Sequence, residues 1–332
     1  MKISVVIPVY NAERHVRSAL DSVLGQVCSD WECICVDDGS TDGSAAILDE
    51  YAARDPRIRA IHKPNGGEGS ARNAGMDDAT GELIAFLDAD DAWHPETLRL
   101  VAKTREATGA DVIRYGWKPV AGHNGGFEVL PPDVRGHIVD LRARTESTIR
   151  FCALGAATVV SRAACGDIRF SRLTQGADLV FVLDCMLRSG KVAYIDAPLL
   201  HYLTHPDQIS RRVSKGLVVG SCGYIPEVVA RCARLGEAGE AWADTRRYAC
   251  DLVFCRLFGS WRLFDRAEDR EEVRQAFWNM LGRLAETSGF FAPCRRLAVV
   301  RACRSESPAL LRCLVAWPYR LSRKLRRIRV VL

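Results

Sequence analysis

No run of about 18 or more apolar residues occurs in this chain of 332 residues, so no segment reads as a membrane-spanning helix. A signal-peptide pattern is also missing: Met1-Lys2 leads directly into a strand-like segment that Pro8 ends, with no small-residue cleavage site. A cytoplasmic location is the resulting expectation. No Cys-x-x-Cys occurs among the 13 cysteines, which are scattered and odd in number. That excludes a disulfide scaffold and leaves buried, reduced thiols as the expectation, with Cys33 and Cys35 on one face of a strand. No internal repeat or low-complexity tract is visible. Acidic side chains are nearly absent from the last 40 residues, where Pro293–Leu332 holds eleven basic residues and one acid, Glu306. The tail thus carries +10 and the remaining 292 residues −5, which sum to the net +5 of the whole. An acidic body with a basic end points to an anionic surface as partner for that end.

The first 115 residues alternate between two hydrophobic periods. Ile3–Val9, Trp31–Asp37, Ile58–His62, Leu83–Leu87 and Asp111–Tyr115 read as strands. Asn11–Gln26, Ser44–Arg54, Gly69–Ala79 and Pro95–Thr108 read as the helices between them. This rhythm predicts an α/β fold, a mostly parallel sheet with helices on both faces. An irregular Gly- and Pro-rich stretch is expected at Val120–Asp133, then a helix at Arg142–Leu154 and a strand at Ala157–Ser161. A helix at Asp178–Ser189 and short strands at Val192–Ile195 and Leu199–Leu203 follow. Pro206–Arg212 reads as a link, and Val218–Leu235, Ala241–Phe264 and Glu271–Glu286 as helices.

Acidic residues gather where strands end. Asp37-Asp38-Gly39-Ser40-Thr41-Asp42 follows the second strand and Asp88-Ala89-Asp90-Asp91 the fourth, while Asp178 opens a helix. Each set alone is explained by a turn or a helix cap. Together, at one edge of a parallel sheet, they would repel unless a hard cation relieved them. Mg2+ or Mn2+, which favours one or two carboxylates plus phosphate oxygens, makes a nucleoside diphosphate the natural companion ligand.

These blocks resemble family 2 glycosyltransferases of the GT-A fold. The similar segments are Ile3–Asn11, Trp31–Asp42, Asn65–Gly75 and Gly81–Asp91, in that order. A weaker likeness continues through Arg169-Phe170, Gly176–Phe181, His201-Tyr202 and Gln208–Ser210. The resemblance implies an inverting, metal-dependent transfer from a nucleotide sugar, most naturally a UDP-sugar, to a saccharide or lipid-linked saccharide acceptor. It implies Asp178 as general base. Pro8, Tyr10, Asn11, Asp37, Asp38, Arg72, Asp88 and Ala89 become the nucleotide-sugar site, and Asp90 the metal ligand. His201, with His205 four residues on, is the candidate to complete the metal shell. Trp93 and Tyr202 are the acceptor candidates, each with packing in the core as its other reading. One departure is Ala177, where the family commonly has Glu. It keeps a second reading open, a non-catalytic nucleotide-sugar-binding or scaffold subunit of a membrane-bound assembly.

The expected organisation is a GT-A domain over residues 1–212, with a nucleotide-sugar half (1–115) and an acceptor half (116–212). A helical region (213–292) and the basic tail (293–332) follow. In the tail, Leu321, Leu325, Ile328 and Leu332 recur at helical spacing among Arg and Lys, behind Trp317 and Tyr319. This basic amphipathic pattern suits an anionic membrane surface and predicts a peripheral protein on the inner face of the plasma membrane. No base-reading motif accompanies it, so nucleic acid is not an expected partner.

Overall fold

The computed structural model describes residues 1–122, 127–140, 155–171, 176–205, 214–236 and 266–286. Strands β1 (Ile3–Val9), β2 (Trp31–Asp37), β3 (Ile58–His62) and β4 (Leu83–Phe86) alternate with helices α1 (Val16–Leu24), α2 (Ser44–Arg54) and α3 (Glu68–Asp78). The elements β5 (Ala92–Trp93), α4 (Thr97–Thr108), β6 (Val112–Val120), β7 (Gly136–Ile138), β8 (Thr158–Ser161) and the short helix α5 (Arg162–Cys165) come next. Helix α6 (Ala177–Ser189) and strand β9 (Val192–Leu203) then lead to α7 (Lys215–Gly236) and α8 (Ala267–Glu286).

The strands join in the order β3-β2-β1-β4-β8-β6-β9-β5, with β7 added against β9. Strands β1 to β4 are mutually parallel, which puts the loops after β1, β2 and β4 at one edge. β1 and β2 are buried on both faces and therefore read as mostly apolar runs, broken only by the buried polar residues Ser4, Glu32 and Asp37. Cys33 and Cys35 lie two apart on β2, both fully buried, with their sulfurs 3.7 Å apart. The seven cysteines among the described residues are free thiols.

Several expectations change in the structure. β8 runs antiparallel to both β4 and β6, so the sheet is mixed at its centre. The two short strands expected near 192–203 are one, β9, which follows β6 through a bulged register at Gly116. Helix α1 starts at Val16 rather than Asn11, because the loop before it is engaged elsewhere. Asn11 adopts a left-handed φ of 50°, and the amides of Ala12 and Glu13 donate to Ser44 Oγ at the start of α2 and to Asp42 in the loop before it. The expected helices at 142–154 and 241–264, the link at 206–212 and the tail lie outside the described residues.

The sheet edge opposite these loops is pinned by a buried carboxylate. Glu32 on β2 accepts from Ser4 Oγ (2.6 Å), Lys2 Nζ (2.9 Å) and both the amide and hydroxyl of Thr80 (2.7 and 2.8 Å). Ser4 Oγ also receives the Gly81 amide, and a Cβ at Gly81 would stand 2.7 Å from the Ser4 nitrogen. Helix α3 lies against β1 through Gly75, whose hydrogen faces Val6 with no room for a methyl group.

The chain divides into two compact units, Met1–Leu141 with Cys152–Arg212, and Arg142–Phe151 with Val213–Leu332. Within the second, α7 and α8 pack together through Val218, Cys222, Ile225 and Val229 on one helix and Val273, Phe277 and Leu281 on the other. Lys215 bridges Asp269 and Glu272, and Arg283 pairs with Glu227. No helix among the described residues is long and apolar enough to cross a membrane.

Candidate active site

The loops after β1 and β2 hold each other in place. Asn11 Oδ1 accepts from the Thr41 amide (2.8 Å), and the Asn11 amide donates to Ser40 Oγ (3.0 Å). Asp37 Oδ1 accepts the Ser40 amide (3.0 Å), and Oδ2 faces His62 Nδ1 (3.1 Å). Burial alone would raise the Asp37 pKa, but Ser40 and His62 outweigh it and hold it low. Asp38 is 2% exposed. Its carboxylate accepts from Lys63 Nζ (2.5 Å) and from the amides of Gly66 and Gly67 (3.0 and 2.7 Å). It thus ties down the segment before α3, which uses most of its acceptor capacity. Tyr10, at the end of β1, is 53% exposed. Pro8 is buried inside β1, in register with Val36, and the exposed residue at this strand end is Tyr10.

Arg72 on α3 is 3% exposed. Its Nη2 lies 2.6 Å from Asp88 and 2.5 Å from Glu68 one turn earlier. Burial disfavours the guanidinium charge, yet Glu68, Asp88 and Asp178 together raise its pKa above the ordinary arginine value. Asp178, in the first turn of α6, therefore falls within the electrostatic reach of Arg72. Aromatic packing brings α6 there. Phe181 stacks on Phe170 (4.1 Å between ring centres, 12° between planes), and both meet the edge of Phe86 on β4. The backbone of Phe170 is read twice by Asn73, whose Oδ1 accepts its amide (2.8 Å) and whose Nδ2 donates to its carbonyl (2.9 Å). Arg72 caps the same ring, 5.3 Å from its centre. Glu68 and Asn73 are site residues that the motif reading passed over. The spacing of Glu68 and Arg72 made that pair legible; the contact of Asn73 with position 170 is not visible in local sequence.

Past β4, Asp88 and Asp90 are part-exposed while Ala89 and Asp91 are buried. Desolvation pushes Asp88 up to about 7; Arg72 opposes this, and Glu68 and Asp90 reinforce it. Asp91 is fully buried, and desolvation followed by Asp88 and Asp90 lifts it to about 9. Asp91 Oδ1 accepts the Leu203 amide (2.9 Å), while its Oδ2 has no hydrogen-bond partner. That bond draws the end of β9 to the acidic turn, and His205 Nε2 comes to 3.1 Å from Asp90 Oδ2. The His15 ring lies 4.8 Å from that of His205. His205, not His201, is the imidazole beside Asp90. His201 is 5% exposed and packs against Phe127 (4.0 Å between ring centres, 31° between planes), because it pairs with Ala92 across the sheet four residues before His205.

Asp90 and His205 supply a carboxylate oxygen and an imidazole nitrogen, a donor pair that suits Mn2+ and is compatible with Mg2+. Among the described residues no group of three or more His, Cys, Asp or Glu forms a cage. The remaining positions of such an ion would thus fall to phosphate oxygens and water, and on this donor set the residues fit a divalent cation.

Of the two acceptor candidates, Trp93 is fully buried in the core, on a strand packed between β9 and α1, and offers no ring face to a sugar. Tyr202 is half-buried on β9, its ring 5.6 Å from Trp117 on β6 in an edge-to-face arrangement.

Residues 4–164 match the model for Glycosyl transferase family 2. The chain belongs to the family 2 glycosyltransferases. It is 43% identical over 229 residues, 65% of each chain, to the uncharacterized glycosyltransferase YibD of Escherichia coli (strain K12). Matched segments span between about a third and two thirds of the length of curated relatives of this kind. Its fold is similar to that of S. aureus TarS 1-349 in complex with UDP-GlcNAc (TM-score 0.72, 20% identity, 97% of this chain and 92% of that one). The mannosyltransferase PcManGT from Pyrobaculum calidifontis, solved with GDP-Man and Mn2+, is a more distant likeness (TM-score 0.52, 15% identity, 98% and 86%). At these identities the two structures speak for the fold, a GT-A architecture with a central sheet flanked by helices.

Proposed function

We propose that this chain is an inverting, metal-dependent glycosyltransferase that moves a sugar from a UDP-sugar to a hydroxyl of a saccharide or lipid-linked saccharide during cell-surface polysaccharide synthesis. The observation that carries the reading is the Arg72–Asp88 ion pair, two residues from the Asp90–His205 pair, with Asp178 within the electrostatic reach of Arg72. The family membership and a fold neighbour solved with UDP-GlcNAc support it.

In this reading Tyr10 offers an exposed ring to the nucleobase, and Asp38 fixes the Lys63–Gly67 segment that borders it. Asp88 is positioned for the ribose hydroxyls. Arg72 exchanges part of its pairing with Glu68 and Asp88 for the donor's diphosphate, a planar fork on an anion. Asp90 and His205 would hold Mg2+ or Mn2+, which would supply positive charge against the departing nucleoside diphosphate. Asp178 takes the proton from the acceptor hydroxyl as that oxygen attacks the anomeric carbon. The C–O bond to the acceptor forms as the bond to the diphosphate oxygen breaks, so configuration inverts and an α-linked donor gives a β-linked product. Residues 1–212 carry this chemistry, 213–292 form a helical extension, and the tail from 293 attaches the enzyme peripherally to anionic lipid on the inner face of the plasma membrane.

The test is UDP release from UDP-sugars by purified full-length protein with Mn2+ and a panel of saccharide acceptors, compared with Asp178→Asn. Transfer should fall by about 10²- to 10⁴-fold in the variant, the usual range for a general base, while UDP affinity stays within about twofold, since a factor this small is under 0.5 kcal/mol. Undiminished transfer by Asp178→Asn would remove the base assignment. UDP binding without turnover by the wild-type protein on any acceptor would favour the non-catalytic alternative, which Ala177 motivates.

A further inference from the structure

We infer that Trp117 and Tyr202 form an aromatic platform for a sugar ring of the acceptor. This inference deepens the glycosyltransferase reading and rests on it. The register of the sheet supplies the geometry. Leu200 on β9 pairs with Trp93 of β5 on one side and with Trp117 of β6 on the other. Residues in register share a sheet face, and Tyr202, two residues beyond Leu200, shares it too.

Along that face exposure increases outward. Trp93 and Leu200 are fully buried, Tyr202 is half-buried and Trp117 is 45% exposed. The inner end of the series adjoins the acidic turn, since Asp91 immediately precedes β5 and takes the amide of Leu203, the residue after Tyr202. Tyr202 lies three residues before His205, at most roughly 10 Å along the chain. That distance is one to two sugar rings from the proposed diphosphate position.

The chemistry selects the occupant. An exposed indole is costly to keep in water, and here an edge-to-face contact with Tyr202 at 5.6 Å and 65° fixes its orientation. A pyranose presents weakly positive C–H groups on one face, which match the negative face of an aromatic ring, while its hydroxyls stay hydrated. A rigid ring pair opening from a transferase centre therefore suits a saccharide better than a purely apolar partner. The first residue to be transferred onto would sit near Asp178, and the platform would hold a ring further along the acceptor.

The experiment uses labelled full-length protein on a printed array of bacterial-type oligosaccharides, with UDP and Mn2+ present, and a separate calorimetric titration with UDP. The wild-type protein should bind a subset of the printed saccharides. Trp117→Ala should weaken that binding about tenfold or more, as expected for an aromatic anchor. Trp117→Phe, which keeps a ring, should retain most of it, and both variants should bind UDP like the wild type. An array with no wild-type signal, or equal binding by Trp117→Ala, would overturn the platform. UDP binding absent from all three proteins would instead sink the donor reading, and the array comparison would still decide the platform.

Discussion

At the residue scale the proposed metal site turns on which histidine meets Asp90. His201 lies in β9 opposite Ala92, where its ring is packed against Phe127 and its position is set by sheet pairing. His205 lies two residues past the strand, where the chain turns over the acidic segment because Asp91 holds the Leu203 amide. Sequence offers no means of choosing between them, since the choice depends on the pairing of β5 with β9, over 100 residues apart. In the proposed reading Asp90 and His205 would be the protein ligands, and removing either would leave the ion with one protein donor. With UDP present, Asp90→Asn and His205→Ala should each weaken Mn2+ binding by about tenfold or more, while His201→Ala should leave it unchanged. Electron paramagnetic resonance of free Mn2+ during titration checks this. Weakening by His201→Ala alone would assign the ion to His201 instead.

At the element scale the donor half was legible because its information is local. Apolar runs with β-branched residues, turn-forming Asp-Gly-Ser and small-residue helices identify β1 through α3 within a few residues, and parallel order puts the loops of Asp37 and Asp88 on one edge. What stayed hidden was the tertiary wiring, such as Asn73 clasping Phe170 or the antiparallel insertion of β8. The opposite edge shows how the same strands are stabilised. Burial alone would raise the pKa of Glu32, but hydrogen bonds from Ser4, Lys2 and Thr80 prevail and lower it to about 2 from 4.5. A carboxylate whose folded pKa is depressed contributes stability above its unfolded pKa, here about 4.5, and loses it as pH falls toward about 2. The contribution at neutral pH is of order 3 kcal/mol. Glu32→Gln should therefore lower stability to urea at pH 7, by an amount that shrinks steadily between pH 4.5 and 2. Parallel pH profiles for the two proteins would refute the assignment.

At the scale of the whole molecule, the modest net charge conceals a division of labour between an acidic body and a basic end. In the proposed reading Asp88 and Asp90 of that body serve a cation and a diphosphate. The residues from 317 to 332 contain six basic side chains and an apolar stripe at helical spacing, and each Lys or Arg near an anionic bilayer can contribute about 1 kcal/mol. Such attraction is screened within about 10 Å at 0.1 M salt, so it should weaken as salt rises, unlike insertion of an apolar span. Full-length protein should sediment with vesicles containing phosphatidylglycerol and be released by raised salt. Deletion of residues 317–332 should abolish sedimentation at moderate salt while leaving UDP affinity intact, because the donor-site residues all lie before position 206. Equal sedimentation of the truncated protein would show that another part of the chain makes the contact, and the proposed link between a membrane-held enzyme and a lipid-linked acceptor would then need a different anchor.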